Sequence, residues 1–206
     1  MVLTSILDRS LNIKLFAFRL LCISVGVFVA TGQASEADLA QVIEEHWQWT
    51  LEQYPERRLE YGDRSGNDQW TDMSPEAFQR RYQEGGRFIQ RLERIEPATL
   101  NADNQINRAM LLRQLRDDRT EYEDGLYLIA LDMRSGPQHR HSMIDTLPME
   151  TEQDLEDWLA RLRHLPEQLA QYQALLQRGI TEQRLQAQIV MSRVPAQLQG
   201  LLQHDS

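Results

Sequence analysis

Two reactive side chains are scarce in this chain, which has one cysteine, Cys22, and one lysine, Lys14. Both lie in residues 1–34, a segment with the features of a signal that is removed after export. Without that segment the chain has no thiol, so it cannot form a disulfide, a thiolate nucleophile or a cysteine-ligated metal site. It also has no lysine, which excludes catalysis through a lysine amine.

The short motifs of three common enzyme classes are also missing. The sequence contains no His-Glu-x-x-His zinc motif and no Gly-x-Ser-x-Gly nucleophile turn. Its one glycine pair, Gly85-Gly86, lacks the lysine of a phosphate-binding loop. His139 and His141 form a closely spaced pair. Two solvated histidines in a loop explain this pair, with a metal site as the alternative.

The chain is acidic, with 22 lysine and arginine residues against 31 aspartate and glutamate residues. Residues 1–34 hold three of the basic residues and one of the acidic ones, which leaves 19 basic and 30 acidic residues and a net charge of −11. Such a surface repels phosphate backbones and anionic lipids. We therefore expect no nucleic-acid partner, and no membrane partner once the signal is removed.

Residues 1–34 predict a cleavable secretory signal. Three basic residues precede an apolar run over residues 20–30, and small residues follow it at Gly32 and Ala34. This order is typical of a secretory signal. A membrane anchor is the alternative, but the run spans only about 16 Å as a helix, against roughly 30 Å for a bilayer core. We expect cleavage near Ala34 and a periplasmic or secreted product.

Residues 35–206 predict one all-α domain, an irregular multi-helix array with long loops that follows the amino-terminal signal helix. Apolar residues recur at helical spacing in several segments. Helix starts are indicated at Ser74, Asn101 and Thr151, because each side chain can accept a hydrogen bond from the first turn that follows it. A short apolar run over residues 126–133 has no visible partner strand, and it predicts extended coil or a short helical turn.

The fourth predicted helix carries an apolar face that we expect to be buried, formed by Leu155, Trp158, Leu159, Leu162 and Leu165. Trp70 lies instead in the polar loop between the first two predicted helices. A tryptophan in such a loop can line a ligand-binding surface or pack locally, and both alternatives remain open.

An ordered series of short segments resembles a known family. These segments are Trp47-x-Trp49, Gly62-Asp63, residues 72–76, Ser135-Gly136-Pro137, the loop of residues 143–148, residues 154–162, Leu165-Pro166 and residues 177–180. In this order they resemble the amino-terminal part of the bacterial domain-of-unknown-function 885 family, most specifically over residues 135–180. The resemblance implies an exported helical protein with a zinc-metallopeptidase-like architecture.

The resemblance also implies that complete family members bind zinc through a His-Glu-x-x-His segment far towards their carboxyl end. No position here matches that segment, so no zinc ligand or catalytic glutamate carries over, and we expect no cofactor in this chain. We interpret residues 35–206 as the truncated amino-terminal portion of a larger peptidase-like domain, inactive alone. In the complete protein it would line a cleft for a peptide substrate, with Trp70, Ser135, Gly136 and Pro137 as candidate wall residues.

A self-sufficient periplasmic helical binding or scaffold module is the alternative interpretation.

A truncated domain would leave apolar helix faces without their partners, and large exposed apolar patches favour association. We therefore expect self-association through exposed apolar helix faces.

Overall fold

A computed structural model describes residues 33–202 of the chain, so almost all of the predicted signal lies outside the described residues. Every regular element within them is helical, which confirms the predicted all-α class. The helices are α1 over residues 33–53, α2 Pro75–Arg94, α3 Ala102–Glu123, α4 Glu152–Thr181, α5 Gln188–Met191 and α6 Val194–Leu202. 3-10 segments cover Pro55–Tyr61, Pro97–Thr99, Leu126–Leu128 and Pro137–Thr146.

The three predicted helix starts are confirmed. The side chains of Ser74 and Asn101 each accept a hydrogen bond from the backbone N–H three residues further along. Thr151 and Asp154 form a reciprocal capping box at the start of α4, in which each side chain accepts the backbone N–H of the other. Caps of this kind each stabilise a helix by about 1 kcal/mol. The predicted short helical turn is also present, at Leu126–Leu128.

The hydrophobic core lies between α1, α2 and α3. Its buried members are Leu39, Val42, Phe88, Ile89, Leu92, Ile95, Leu100, Leu112 and Leu115. The Arg108 side chain on α3 reaches the end of α2, where Nε donates a hydrogen bond of 2.9 Å to the Leu92 carbonyl. This three-helix layer forms the walls of the cleft described below.

A long loop, residues 62–74, runs beside α4 and is held by polar side chains of that helix. Three of these side chains follow one another at seven-residue spacing, which places them on one helix face. The Asp154 carboxylate accepts a hydrogen bond of 3.0 Å from the Arg64 guanidinium. One and two heptads later, Arg161 donates to the Gly66 carbonyl and Gln168 donates to the Thr71 carbonyl, and both helix side chains are buried. The loop therefore follows the helix in register.

Because α4 buries this polar stripe, several of its leucines face outward. The exposed stripe lies one residue further along the helix and comprises Leu155, Leu159, Leu162, Leu169 and Ile180, each at least 39% exposed. The predicted burial is thus wrong for Leu155, Leu159 and Leu162, whereas Leu165 is half-buried and Trp158 is buried. Between residues 33 and 202, no helix is long and apolar enough to cross a bilayer.

Candidate binding cleft

An aromatic cleft lies between α1, α2 and α3 and is bordered by the Leu126–Leu128 turn. Its cavity volume is about 290 Å³. Seven aromatic rings line it, those of His46, Trp49, Tyr54, Phe78, Tyr82, Tyr122 and Tyr127. We refer to this cavity as the aromatic cleft.

Four of these rings form a continuous series along one wall. Tyr82 stacks on Tyr122 with ring centroids 4.5 Å apart, and Tyr122 stacks on Tyr127 at 4.9 Å. Tyr127 then contacts Phe78 at 5.0 Å. The Tyr82 hydroxyl donates a 2.8 Å hydrogen bond to the Glu123 carboxylate. This bond fixes the Tyr82 ring and raises the pKa of its hydroxyl. All four rings are only half-buried, so they present a surface on which an apolar or aromatic ligand can stack.

Arg81 lies in the same wall and is 8% exposed. Its Nη2 donates a 2.9 Å hydrogen bond to the Asp72 carbonyl, whereas Nε and Nη1 have no hydrogen-bond partner. The guanidinium carbon lies 4.5 Å from the ring centroid of Phe78 and 5.3 Å from that of Tyr54. Burial lowers the pKa of Arg81. The two rings compensate part of the cost of burying this cation.

The carboxylates of the cleft lie at its rim. Asp118 and Glu121 line the cleft and belong to the exposed residues of α3. Partial burial of the carboxyl group, together with the neighbouring Glu121 and Asp117, raises the pKa of Asp118. Arg57 lies at the rim too, with its guanidinium 5.2 Å from the Tyr54 ring. The cleft therefore combines apolar rings and a buried cation with a rim of mixed charge.

Trp70, the first of the predicted wall residues, does not line the aromatic cleft. Its Nε1 donates a 2.7 Å hydrogen bond to the Arg161 carbonyl. Its ring centroid lies 5.2 Å from the guanidinium carbon of Arg140 and 5.2 Å from that of Arg161, and the ring contacts Trp158. The ring borders a shallow cavity of about 310 Å³ beside Gln168. These contacts give Trp70 a packing role, and its role in ligand binding stays a prediction.

Ser135 and Gly136 line a neighbouring cavity of about 480 Å³, and Pro137 begins the 3-10 segment that follows them. Phe78 and Tyr127 line both this cavity and the aromatic cleft, so the two are adjacent. The Ser135 hydroxyl donates to the Asp132 carboxylate at 3.0 Å. The structure thus brings Ser135 and Gly136 next to the cleft, and their role as a cleft wall stays a prediction.

The cleft residues themselves were missed by the sequence reasoning. Tyr82, Tyr122 and Tyr127 come from three separate elements, and only the fold brings them together. Arg81 could have been identified from the sequence, because it stands between Phe78 and Tyr82 on the apolar side of α2. An arginine within an apolar stripe indicates either a buried polar contact or a ligand site.

The described residues do not offer a metal site. No group of three or more histidine, cysteine, aspartate or glutamate side chains is suitably placed among residues 33–202. His139 Nε2 lies 3.1 Å from the Met133 carbonyl oxygen, and His141 Nδ1 lies 3.0 Å from that of Gln138. Each ring therefore has one nitrogen next to a backbone carbonyl oxygen.

One protein-family model matches residues 55–206, which is more than half of the chain. The family is described as a bacterial protein of unknown function, DUF885. No curated protein and no solved structure gives a significant match. The matched region includes Arg81 and the four-ring series of the aromatic cleft, whereas the part of the cleft contributed by α1 precedes it.

Proposed function

The chain belongs to the DUF885 family of bacterial proteins, and from this premise we propose that residues 35–206 are the peptide-binding helical portion of an exported zinc-metallopeptidase-like hydrolase. In this proposal the helical portion binds the peptide and does not itself cleave it. The observation that carries the proposal is the series of four half-buried rings beside Arg81 in the aromatic cleft.

The chemistry of the cleft suits a peptide. Half-exposed tyrosine and phenylalanine rings stack on apolar and aromatic side chains. The cavity, about 290 Å³, lies at the lower end of the range for ligand pockets, so it accommodates one or two side chains. The acidic surface of the chain disfavours polyanionic ligands such as nucleic acids.

We propose no zinc site within residues 33–202. The 206 residues contain no His-Glu-x-x-His pattern, and among the described residues no three histidine, cysteine, aspartate or glutamate side chains are grouped so that they could hold a metal ion. A structural or catalytic zinc needs three or four convergent nitrogen, sulfur or oxygen ligands. We therefore assign no hydrolytic step to the described residues, and peptide binding is the function we propose for them.

Peptide binding is expected to depend on the ring series. Substituting Tyr122→Ala or Tyr127→Ala removes one stacking surface, and we expect about three- to tenfold weaker binding of short aromatic peptides. Isothermal titration calorimetry measures the affinity, and a parallel assay follows peptide hydrolysis with and without added zinc.

Tyr61→Ala provides the matched control for this test. Tyr61 is an exposed tyrosine outside the cleft, and its main ring contact is with Trp47. We expect it to bind peptides as the unaltered chain does. Unchanged affinity in both cleft variants would contradict the assignment of the site, and chelator-sensitive hydrolysis by the purified chain would contradict the absence of cleavage.

We propose that the protein is exported and processed after Ala34. The physical basis is the order of basic, apolar and small residues in residues 1–34. Protein recovered from the periplasm of a Gram-negative host is expected to begin at Ser35, which intact-mass spectrometry measures. A periplasmic product that retains residues 20–30 would contradict this proposal.

Self-association remains a further proposal, and the exposed leucine stripe of α4 supports it. Apolar stripes of this kind favour association because contact removes their surface from water. We expect sedimentation velocity to show concentration-dependent association that the double variant Leu159→Gln, Leu162→Gln weakens. Met110→Gln, at an exposed apolar position of α3, should leave it unchanged. A chain that stays monomeric at every concentration would refute this proposal.

A further inference from the structure

Arg81 is an unusual buried cation because only one of its guanidinium nitrogens is hydrogen-bonded. Nη2 donates to the Asp72 carbonyl, and Nε and Nη1 have no acceptor. Its nearest aromatic neighbours, Phe78 and Tyr54, offer ring faces, which attract a cation without accepting a full hydrogen bond. Among the described residues no carboxylate lies within ion-pair distance of this guanidinium.

The other deeply buried arginine, Arg161, shows what a structural arrangement looks like in this fold. Its Nη2 donates to the Gly66 carbonyl, and its Nη1 lies 2.9 Å from the sulfur of Met143. The first contact holds the loop of residues 62–74 against α4, and the second joins α4 to the 3-10 segment Pro137–Thr146. Arg161 does not line the aromatic cleft, whereas Arg81 does. The unused donors of Arg81 therefore lie just beneath the lining of the cleft, and a bound molecule reaches them once the ring that covers them moves.

We propose that the aromatic cleft binds an apolar or aromatic ligand through a carboxylate that pairs with Arg81. This inference rests on the proposed peptide-binding function and names its substrate class. A peptide offers such a carboxylate from two sources, its carboxyl terminus or an acidic side chain next to an apolar residue. A carboxylate supplies the acceptor that the free nitrogens lack, and charge-assisted hydrogen bonds are strong where water is excluded.

In this proposal Tyr54 is the side chain that moves to admit the carboxylate. Its ring centroid lies 5.2 Å from the guanidinium carbon of Arg57 and 5.3 Å from that of Arg81, and the ring is only half-buried. No hydrogen bond holds its hydroxyl within the described chain. Arg57 lies at the exposed rim, where it gives an approaching carboxylate a first attraction on an otherwise acidic protein.

The test compares three short acetylated peptides that share a phenylalanine at the last position. One has a free terminal carboxylate, one has a terminal amide, and one has a terminal amide with glutamate before the phenylalanine. Calorimetry on the full chain is expected to show about tenfold tighter binding of the free acid than of the plain amide. Equal binding of the glutamate amide and the free acid would support the carboxylate and identify an acidic side chain as a sufficient source.

Variants assign the carboxylate to Arg81. Arg81→Met should weaken the carboxylate peptides to the level of the plain amide, so that the variant no longer distinguishes the free acid from the amide. Arg108→Met is the matched control, because Arg108 also makes one hydrogen bond to a backbone carbonyl but lies outside the cleft. Arg81→Lys, which keeps the charge, should retain part of the preference, and it replaces the methionine variant if that one fails to fold.

The possible outcomes distinguish a failure of the carboxylate inference from a failure of the proposed peptide binding. Equal affinity of the free acid and both amides in the unaltered chain would overturn the role of the carboxylate and leave peptide binding intact. Loss of the acid preference in Arg108→Met to the same extent as in Arg81→Met would also overturn it. Failure of all three peptides to bind would overturn the proposed function together with this inference.

Discussion

Gly136→Ala is expected to lower the free energy of unfolding by about 3 kcal/mol or more. Gly136 has φ of 138° and ψ of −179°, a backbone conformation that is accessible essentially only to glycine. A Cβ atom there would lie 2.4 Å from Leu131 Cδ1 and 2.5 Å from Gln138 Oε1. Both neighbours are buried, and Gln138 is held by a 2.6 Å hydrogen bond to the Asp132 carbonyl, so neither can move aside cheaply.

Urea unfolding followed by circular dichroism measures this effect, and Gly86→Ala is the matched control. Gly86 lies in the middle of α2, where an added Cβ meets no atom within 4 Å. Alanine is favoured over glycine in a helix by about 1 kcal/mol, so the control should be stabilised. Similar changes in both variants would contradict the account of Gly136. The result also concerns the candidate site. A large loss of stability in Gly136→Ala would show that the backbone conformation requires glycine there, which is a separate matter from the predicted place of Gly136 in a cleft wall.

Arg161→Ala is expected to destabilise the chain by about 3 kcal/mol or more. Arg161 has no exposed surface, donates a 2.6 Å hydrogen bond to the Gly66 carbonyl, and lies over the Trp70 ring. Truncation leaves a cavity and an unpaired carbonyl between α4 and the loop of residues 62–74. The loop should therefore become accessible to proteases before the rest of the chain unfolds.

Two further substitutions test whether the destabilisation comes from the lost volume and the lost hydrogen bond of Arg161. Arg161→Met keeps most of the volume and loses the hydrogen bond, so its destabilisation should be smaller than that of the alanine variant. Arg163→Ala removes an exposed arginine from the same helix, and a change within about 0.5 kcal/mol is expected. Thermal unfolding ranks the three variants. An Arg161→Ala protein as stable as the Arg163→Ala protein would show that the loop is held by other contacts.

Local sequence signals predicted the helix starts, because each depends on residues within one turn. Ser74, Asn101 and Thr151 cap their helices through side-chain hydrogen bonds that span three residues. Such contacts involve no distant part of the chain, and pattern reasoning captures them. The short turn after Gly125 follows for the same reason, since Gly125 adopts a φ of 71° that suits glycine.

Which face of α4 is buried could not be predicted from such local signals. Its leucine spacing predicted a buried apolar face, but Asp154, Arg161 and Gln168 are buried instead because each has a partner in the loop of residues 62–74. Those partners lie more than 85 residues away in the chain, as the sequence separations of 90, 95 and 97 show. Amphipathic patterns identify which face is apolar, and only the tertiary contacts decide which face is covered.

The predicted wall residues lie outside the aromatic cleft, and their role in binding stays a prediction. Ser135 and Gly136 line an adjacent cavity, whereas the Trp70 ring lies close to the guanidinium groups of Arg140 and Arg161. The ring series was not predicted, because Tyr82 and Tyr122 stand forty positions apart and stack only through the packing of α2 on α3. The sequence shows that Arg81 stands within an apolar stripe, but only the structure shows that two of its guanidinium nitrogens have no hydrogen-bond partner.

Photo-crosslinking tests most directly the claim that the aromatic cleft binds peptides. A short peptide that carries a benzophenone side chain is irradiated with the full chain, and mass spectrometry locates the attachment. The account predicts attachment to cleft residues such as Tyr54, Tyr82 or Tyr122, suppressed by excess unlabelled peptide and reduced in Tyr127→Ala. Attachment to the leucine stripe of α4, or labelling that unlabelled peptide does not suppress, would contradict the account.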